Sequence, residues 1–354
     1  MVTFLPTRPG RLADVPSFDR GIGGAESNVV CALAAAGHAT RWVSRVGADG
    51  FGDHLVEAIG GYGVDVSHVR RDPDRPTGVY FRTAGDRSTD AHEVAYYRAG
   101  SAASAMTAAN LDLEAVRAGR ILHLSGITAA LSADCLTLMR ELTAPRPGRP
   151  LISFDVNHRP ALWRDAHGPE VLLDLARDAD IVFVGEDEAE EAWGITGGPS
   201  SIREALPEPD ILVVKQGARG AVAFPTLRGQ SCRWGGTGGR DGTPQAPGCA
   251  TSPRPATAAP ALKVDVVATT GAGDAFAAGF LSATLRNLPL KTRLRHGHLT
   301  AAATLTTPGD LAPPPPRALA ERLVALDDTE WGRLRLGPGW TQADEQAEEE
   351  ARTP

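Results

Sequence analysis

Apolar positions along this chain fall into two alternating rhythms. Residues 25–37 repeat with the period of a helix, "TRWVSRVG" then reads as a strand, and "GDHLVEAIGGYG" as a helix closed by glycine. The exchange continues through "RILHLSG" (strand), 133–142 (helix), "PLISFDVN" (strand), "EVLLDLARDA" (helix), "DIVFVG" (strand), 188–193 (helix) and "DILVVKQG" (strand). Strands that alternate with helices predict an α/β fold of three layers, α/β/α, with a central, mostly parallel sheet covered on both faces. Against that rhythm, "TGVYFRTAGDRSTDAHEVAYYRAGSAAS" holds two strand-like runs, 79–83 and 93–98, about a polar turn, a hairpin suited to a small β lid. Residues 228–260 are rich in Gly, Pro, Ser and Thr without an apolar period, and read as a mobile surface insertion that lengthens one loop without dividing the domain. After "PPPP" a last helix, 317–326, leads into an acidic tail, 338–354, expected to be disordered. The prediction is one domain over 1–337, its lid drawn from about 8–20 and 77–98.

Composition narrows the partners. The 354 residues are 42% hydrophobic and 22% charged, enough to bury a full core as one large α/β domain or two smaller ones. A formal net charge of -7 without a sustained Lys/Arg run disfavours nucleic acid and anionic membrane. Cys31, Cys135, Cys232 and Cys249 lie far apart with no Cys-x-x-Cys or Cys/His spacing, so neither a disulfide framework nor a zinc site is indicated, and a reducing cytosol fits. The start, "MVTFLPTRPGRLADVP", lacks the basic and apolar regions of a secretion signal, and no apolar run reaches the length of a membrane span; a cytoplasmic protein is expected. His296 and His298 in "RHGH" resemble a metal pair but are isolated, and are assigned to a helix surface.

The chemistry concentrates in "VVATTGAGDAFAAGF". Gly271, Ala272 and Gly273 present nearly bare backbone at the mouth of an apolar helix in which Phe276 and Phe280 keep helical spacing. Unpaired N–H groups and the positive end of the helix dipole there make an anion site suited to a phosphate. Asp274 beside it is then placed to take the proton of a hydroxyl that attacks the phosphate; the plainer alternative is tight helix packing with a solvated first-turn acid.

Paired with "GGAESNVVCALAAAG", this motif resembles the two signatures of the ribokinase-like (PfkB) carbohydrate kinases, in the family's order over about 18–310. Within that family, "RPTGVYFR", "YYRAGSAAS" and "FDVNHRPALW" are most similar to kinases of 2-keto-3-deoxygluconate. The resemblance implies a sugar held between sheet and lid, ATP at the edge of the larger layer, and Mg²⁺ bridging the ATP phosphates. It implies Asp274 as general base, the amides of Gly271, Ala272 and Gly273 as the anion hole, and Glu188 of "GEDE" as an organiser of the metal shell, through water or directly. Gly23, Gly24 and Asn28 match a sugar-contacting loop; Tyr80, Tyr96, Arg98 and Arg159 match positions that hold a keto-acid; Lys215, Gly217 and Gly220 of "VVKQGARG" match the nucleotide side. Guanidinium partners suit a substrate carboxylate. Read without the resemblance, Tyr80 and Tyr96 are lid packing, Asn28 a helix cap, Arg159 a turn cap and Glu188 part of a solvated acidic cluster.

Three departures qualify the match. Ala268 stands where the family usually has aspartate, which puts a monovalent-cation requirement in doubt, and Gly185 stands where it usually has asparagine. Relatives also carry a strand ending in Gly-Glu before the counterpart of "MVTFLP", so a natural chain that starts upstream of Met1 is expected. The leading expectation is an ATP-dependent kinase converting 2-keto-3-deoxy-D-gluconate to its 6-phosphate, with room for a homo-oligomer through the lid. A fructokinase or ribokinase relative acting on a neutral sugar, and a catalytically weak sugar-binding regulator, stand as alternatives.

Overall fold

A computed structural model of the chain describes residues 1–83, 93–163, 167–226 and 255–342. The polar turn expected about 84–92, most of the 228–260 insertion, the tail past 342, Cys232 and Cys249 lie outside the described residues. In chain order the strands are β1 (Val2–Pro6), β2 (Phe18–Ile22), β3 (Arg45–Gly47), β4 (Arg70–Asp72), β5 (Val79–Arg82), β6 (Val94–Tyr97), β7 (Ile121–Ser125), β8 (Leu151–Asp155), β9 (Ile181–Gly185), β10 (Ile211–Lys215), β11 (Ala221–Pro225), β12 (Thr257–Ala259), β13 (Lys263–Val264) and β14 (Arg335–Leu336). The helices are α1 (Ala25–Ala35), α2 (Gly50–Gly61), α3 (Leu113–Arg117), α4 (Gly126–Ala129), α5 (Ala133–Thr143), α6 (Gly168–Arg177), α7 (Glu186–Trp193), α8 (Pro199–Ala205), α9 (Ala272–Leu285), α10 (Leu290–Leu305), α11 (Arg317–Val324) and α12 (Asp328–Arg333).

The large sheet runs β12-β11-β10-β9-β8-β7. Strands β7 to β10 are parallel, and β11 and β12 return antiparallel at one edge. Side-chain alternation makes the layers. In β9, Ile181 and Phe183 share a core with Phe276 and Phe280 of α9 and Leu294 of α10, while Val182 and Val184 share the opposite core with Leu138 of α5 and Leu172 of α6. Continuous apolar strands of this kind are stable only with helices on both faces, which is why the pattern specified the architecture.

A second sheet, β2-β1-β5-β6, is the lid. Its inner strand β1 pairs antiparallel with β2 and parallel with β5, and Phe4 stacks on Phe81 with ring centroids 4.7 Å apart. The expected piece at 8–20 is therefore loop until β2 begins at Phe18, since Pro9, Gly10 and Pro16 suit a turn better than a ladder. Two further readings change. Thr257–Ala259, assigned to the insertion, is the edge strand β12; its small side chains carry no apolar period, yet they fit flat beneath α10. His296 and His298 are buried rather than on a helix surface: the Arg286 guanidinium donates to His296 at 3.2 Å, and the His298 ring lies 3.1 Å from the Ala259 carbonyl. Burial pushes both imidazoles down to about 4.

At the other end of the large sheet, β7 is laddered to β8 alone among the described residues. Along its free edge runs a cavity of about 1170 Å³, lined there by Val30, Leu33, Arg45, Ile121, Leu122 and Leu285, which continues to the opening of α9 beneath the lid. No helix among the described residues is long and apolar enough to cross a membrane.

Candidate active site

Helix α9 starts from Gly271, whose φ of 82° lies in the left-handed region. A Cβ there would collide with the carbonyl of Asp310, so both backbone conformation and close approach require glycine. The amides divide. Ala272 N–H reaches the Thr269 carbonyl at 3.4 Å, whereas those of Gly271 and Gly273, residues that line the cavity, meet no backbone acceptor among the described residues. The expected three-amide hole is thus two free donors and one engaged. Asp274 stands half-buried in the first turn, and Asn28 of α1 donates from Nδ2 to its Oδ2 at 2.8 Å. Burial pushes the Asp274 carboxyl up to about 7; the Asn28 bond and Lys215 oppose that rise, while Asp155 and Glu26 add to it.

The lid side of the cavity collects the expected substrate residues. Gly24, with φ 147°, lines it, and Gly23 lies behind, where a Cβ would overlap the Tyr80 hydroxyl. Tyr80 is buried and donates to Asp310, which also accepts from Arg82 at 3.0 and 2.6 Å. Tyr96 is half exposed, and the Arg98 guanidinium stacks 4.3 Å from its ring centroid. Arg98 Nε is buried without a hydrogen-bond partner, and burial together with nearby Arg159 works against its charge. Arg159 is half exposed; its Nη1 donates to the His158 carbonyl at 2.8 Å and lies 3.6 Å from Glu188. Asn28, Tyr80, Tyr96, Arg98 and Arg159 all face the cavity that Asp274 faces.

On the opposite side Lys215, the last residue of β10, donates to both oxygens of Asp155, the last residue of β8, at 3.1 and 3.0 Å. Burial disfavours its charge, but Asp155, Glu188 and Asp274 together outweigh that and hold the ammonium at about 12. Gly217 and Gly220 form the β10–β11 turn outside the cavity lining; the second, with φ 122°, also clears the Ala259 carbonyl. Glu188 lines the cavity, but one oxygen accepts the Gly185 N–H at 2.8 Å, closing the N-terminus of α7. Among the described residues no three His, Cys, Asp or Glu side chains converge to hold a metal ion. The sequence reading passed over Asp155, Asn157 and Asp310. For the first two the signal was available, since Asp155 ends a parallel strand and Asn157 follows it, at the sheet end where ligands gather.

A parallel sheet under a lid, with a carboxylate beside the bare amides that open an apolar helix, defines an α/β sugar kinase. Residues 2–317 match the pfkB family carbohydrate kinases, and the chain belongs to that family. Among relatives, the 2-dehydro-3-deoxygluconokinase of Bacillus subtilis (strain 168) is 34% identical over 320 residues, 88% of this chain and 89% of that protein. That of Thermoproteus tenax is 32% identical over 323 residues, 90% of each. Fructokinase-1 of Oryza sativa subsp. japonica is 29% identical over 283 residues, 79% of each. A PfkB protein structure from Polaromonas sp. JS666 superposes with a TM-score of 0.72 at 30% identity, covering 91% of this chain and 96% of that one. A Pyrococcus horikoshii sugar kinase in complex with ATP shares the fold, with a TM-score of 0.72 at 22% identity over 93% and 96%.

Proposed function

We propose that this kinase moves the terminal phosphoryl group of ATP to the primary hydroxyl of a sugar acid, with 2-keto-3-deoxy-D-gluconate as substrate and its 6-phosphate as product. The observation that carries the reading is Arg98 and Arg159 on the cavity of Asp274, one of them with a buried Nε that lacks a partner. A substrate carboxylate supplies the partner that the Arg98 guanidinium lacks, with half-exposed Arg159 beside it, and a neutral sugar does not. With the carboxylate at the lid, the far hydroxyl points to Asp274, which takes its proton while the amides of Gly271 and Gly273 receive the phosphoryl oxygens. Two 2-dehydro-3-deoxygluconokinases above 30% identity support the same substrate. Mg²⁺ would be held here together with the nucleotide, Glu188 of the cavity lining being the residue that would meet its water shell, and it would supply neutralisation of charge on the phosphates.

The similarity to fructokinases gives the second reading, a neutral sugar in the same cavity. ADP release measured across a panel of sugar acids and hexoses separates the two. The keto-deoxy acid is expected to turn over fastest, Asp274→Asn to lose about 10²–10⁴ in kcat, and Arg159→Lys to raise KM for the acid more than for ATP. Faster turnover of fructose than of any acid reverses the assignment, and an unchanged Asp274→Asn rate removes the mechanism.

A further inference from the structure

The Asp155–Lys215 pair is out of place as a strut. Its side chains are 4% and 21% exposed, and an ion pair withdrawn from water is commonly no more stabilising than apolar residues of the same volume. Apolar packing surrounds these strand ends already, since Phe154 and Val214 just before them are fully buried. What the pair offers instead is a fixed charge in a chosen place. A Cβ built on Gly273 would lie 3.7 Å from Lys215 Nζ, so the ammonium adjoins one of the two free amides. Lysine has three N–H donors, and among the described residues only the two Asp155 oxygens accept from it, which leaves a donor for the cavity.

We propose that Lys215, held by Asp155, is a catalytic cation of the phosphoryl transfer, set beside Gly273 to meet the oxygens of the group in flight rather than to bind resting nucleotide. The proposal rests on the transfer reading above. In that step the bond from the terminal phosphorus to the bridging oxygen of ATP breaks, the bond to the sugar oxygen forms, the hydroxyl proton passes to Asp274, and Lys215 keeps its own proton throughout. A cation matters most there because charge spreads over the phosphoryl oxygens between donor and acceptor. Asp155 is the positioning residue: it orients the ammonium, and its negative charge balances Lys215 as both are felt at Asp274. The other groups bearing on Asp274 are Asn28 and Glu26 of α1, which the test leaves intact.

The test is the pH profile of kcat in Lys215→Met, Asp155→Asn, the double variant and Lys215→Arg. Lys215→Met is expected to lower kcat about 100-fold with little change in the KM for ATP. Removing the positive charge moves the acidic limb, set by Asp274, to higher pH; removing the negative charge moves it lower; the double variant returns it towards the parent. Lys215→Arg keeps the charge, so its limb stays in place, and it decides the matter if methionine prevents folding. Limbs that move together or stay fixed in both single variants, an arginine limb displaced like that of methionine, or a KM for ATP that rises as far as kcat falls, overturn the proposal. Failure of the transfer reading is seen separately, as turnover that survives Asp274→Asn.

Discussion

Asp274 is held where its ionisation is unfavourable, and in the proposed role of base it would work only when ionised. With its pKa raised by burial from 3.8 to about 7, protonation favours the folded state; that contribution is whole below about 3.8 and is lost as pH rises through 7. Turnover should therefore climb with pH through about 7 while this residue's support for the fold declines. Asp274→Asn carries no such charge, so its stability should match the parent near pH 4 and exceed it increasingly towards pH 8, by at most about 4 kcal/mol, with the melting temperature rising in step. Thermal scans at several pH values measure this, and a pH-independent gain would assign the difference to something other than ionisation. The acid and its glycines were legible because a helix opening is local: small residues, a carboxylate and an apolar period lie within one short run. Asp310 was not, because its partners Tyr80 and Arg82 arrive from a lid strand more than 200 residues earlier, and nothing in "PGDLAPPPP" records them.

Lid strand β5 and helix α9 meet at Asp310. Its carboxylate takes Tyr80 and Arg82 from β5, and its carbonyl occupies the space that a side chain on Gly271 would need. Arg82 and Asp310 are 3% and 2% exposed, so removing one leaves the other charge buried alone. Arg82→Ala should cost about 3–5 kcal/mol in urea unfolding, with a lower kcat through the displaced Gly271 turn; an exposed-pair value below 1 kcal/mol would contradict the burial. Strands β8 to β10 were readable because uninterrupted apolar runs state their own burial. The edge strand β12 was hidden, since Thr257–Ala259 depends for its strand character on β11 and α10 and contributes little apolar period itself.

Across the whole molecule the ladder is uneven. Strand β9 is bonded on both sides, by β8 and β10, whereas β7 has a partner on one side only among the described residues. Amides of β7 that point away from β8 should exchange with deuterium about 100-fold faster than those of β9, and equal protection would mean that a partner covers that edge. The alternation of strands and helices foretold the layers but not this hollow, because a gap beside an edge strand leaves no mark on hydrophobic period. Since the hollow and the corner at Asp274 are one space, a nucleotide bound at that corner would be open to solvent on a side that the lid does not cover. Idle cleavage of ATP in the absence of sugar would be the cost of such a back door under the proposed reading, and a lid closed over the sugar would not stop it.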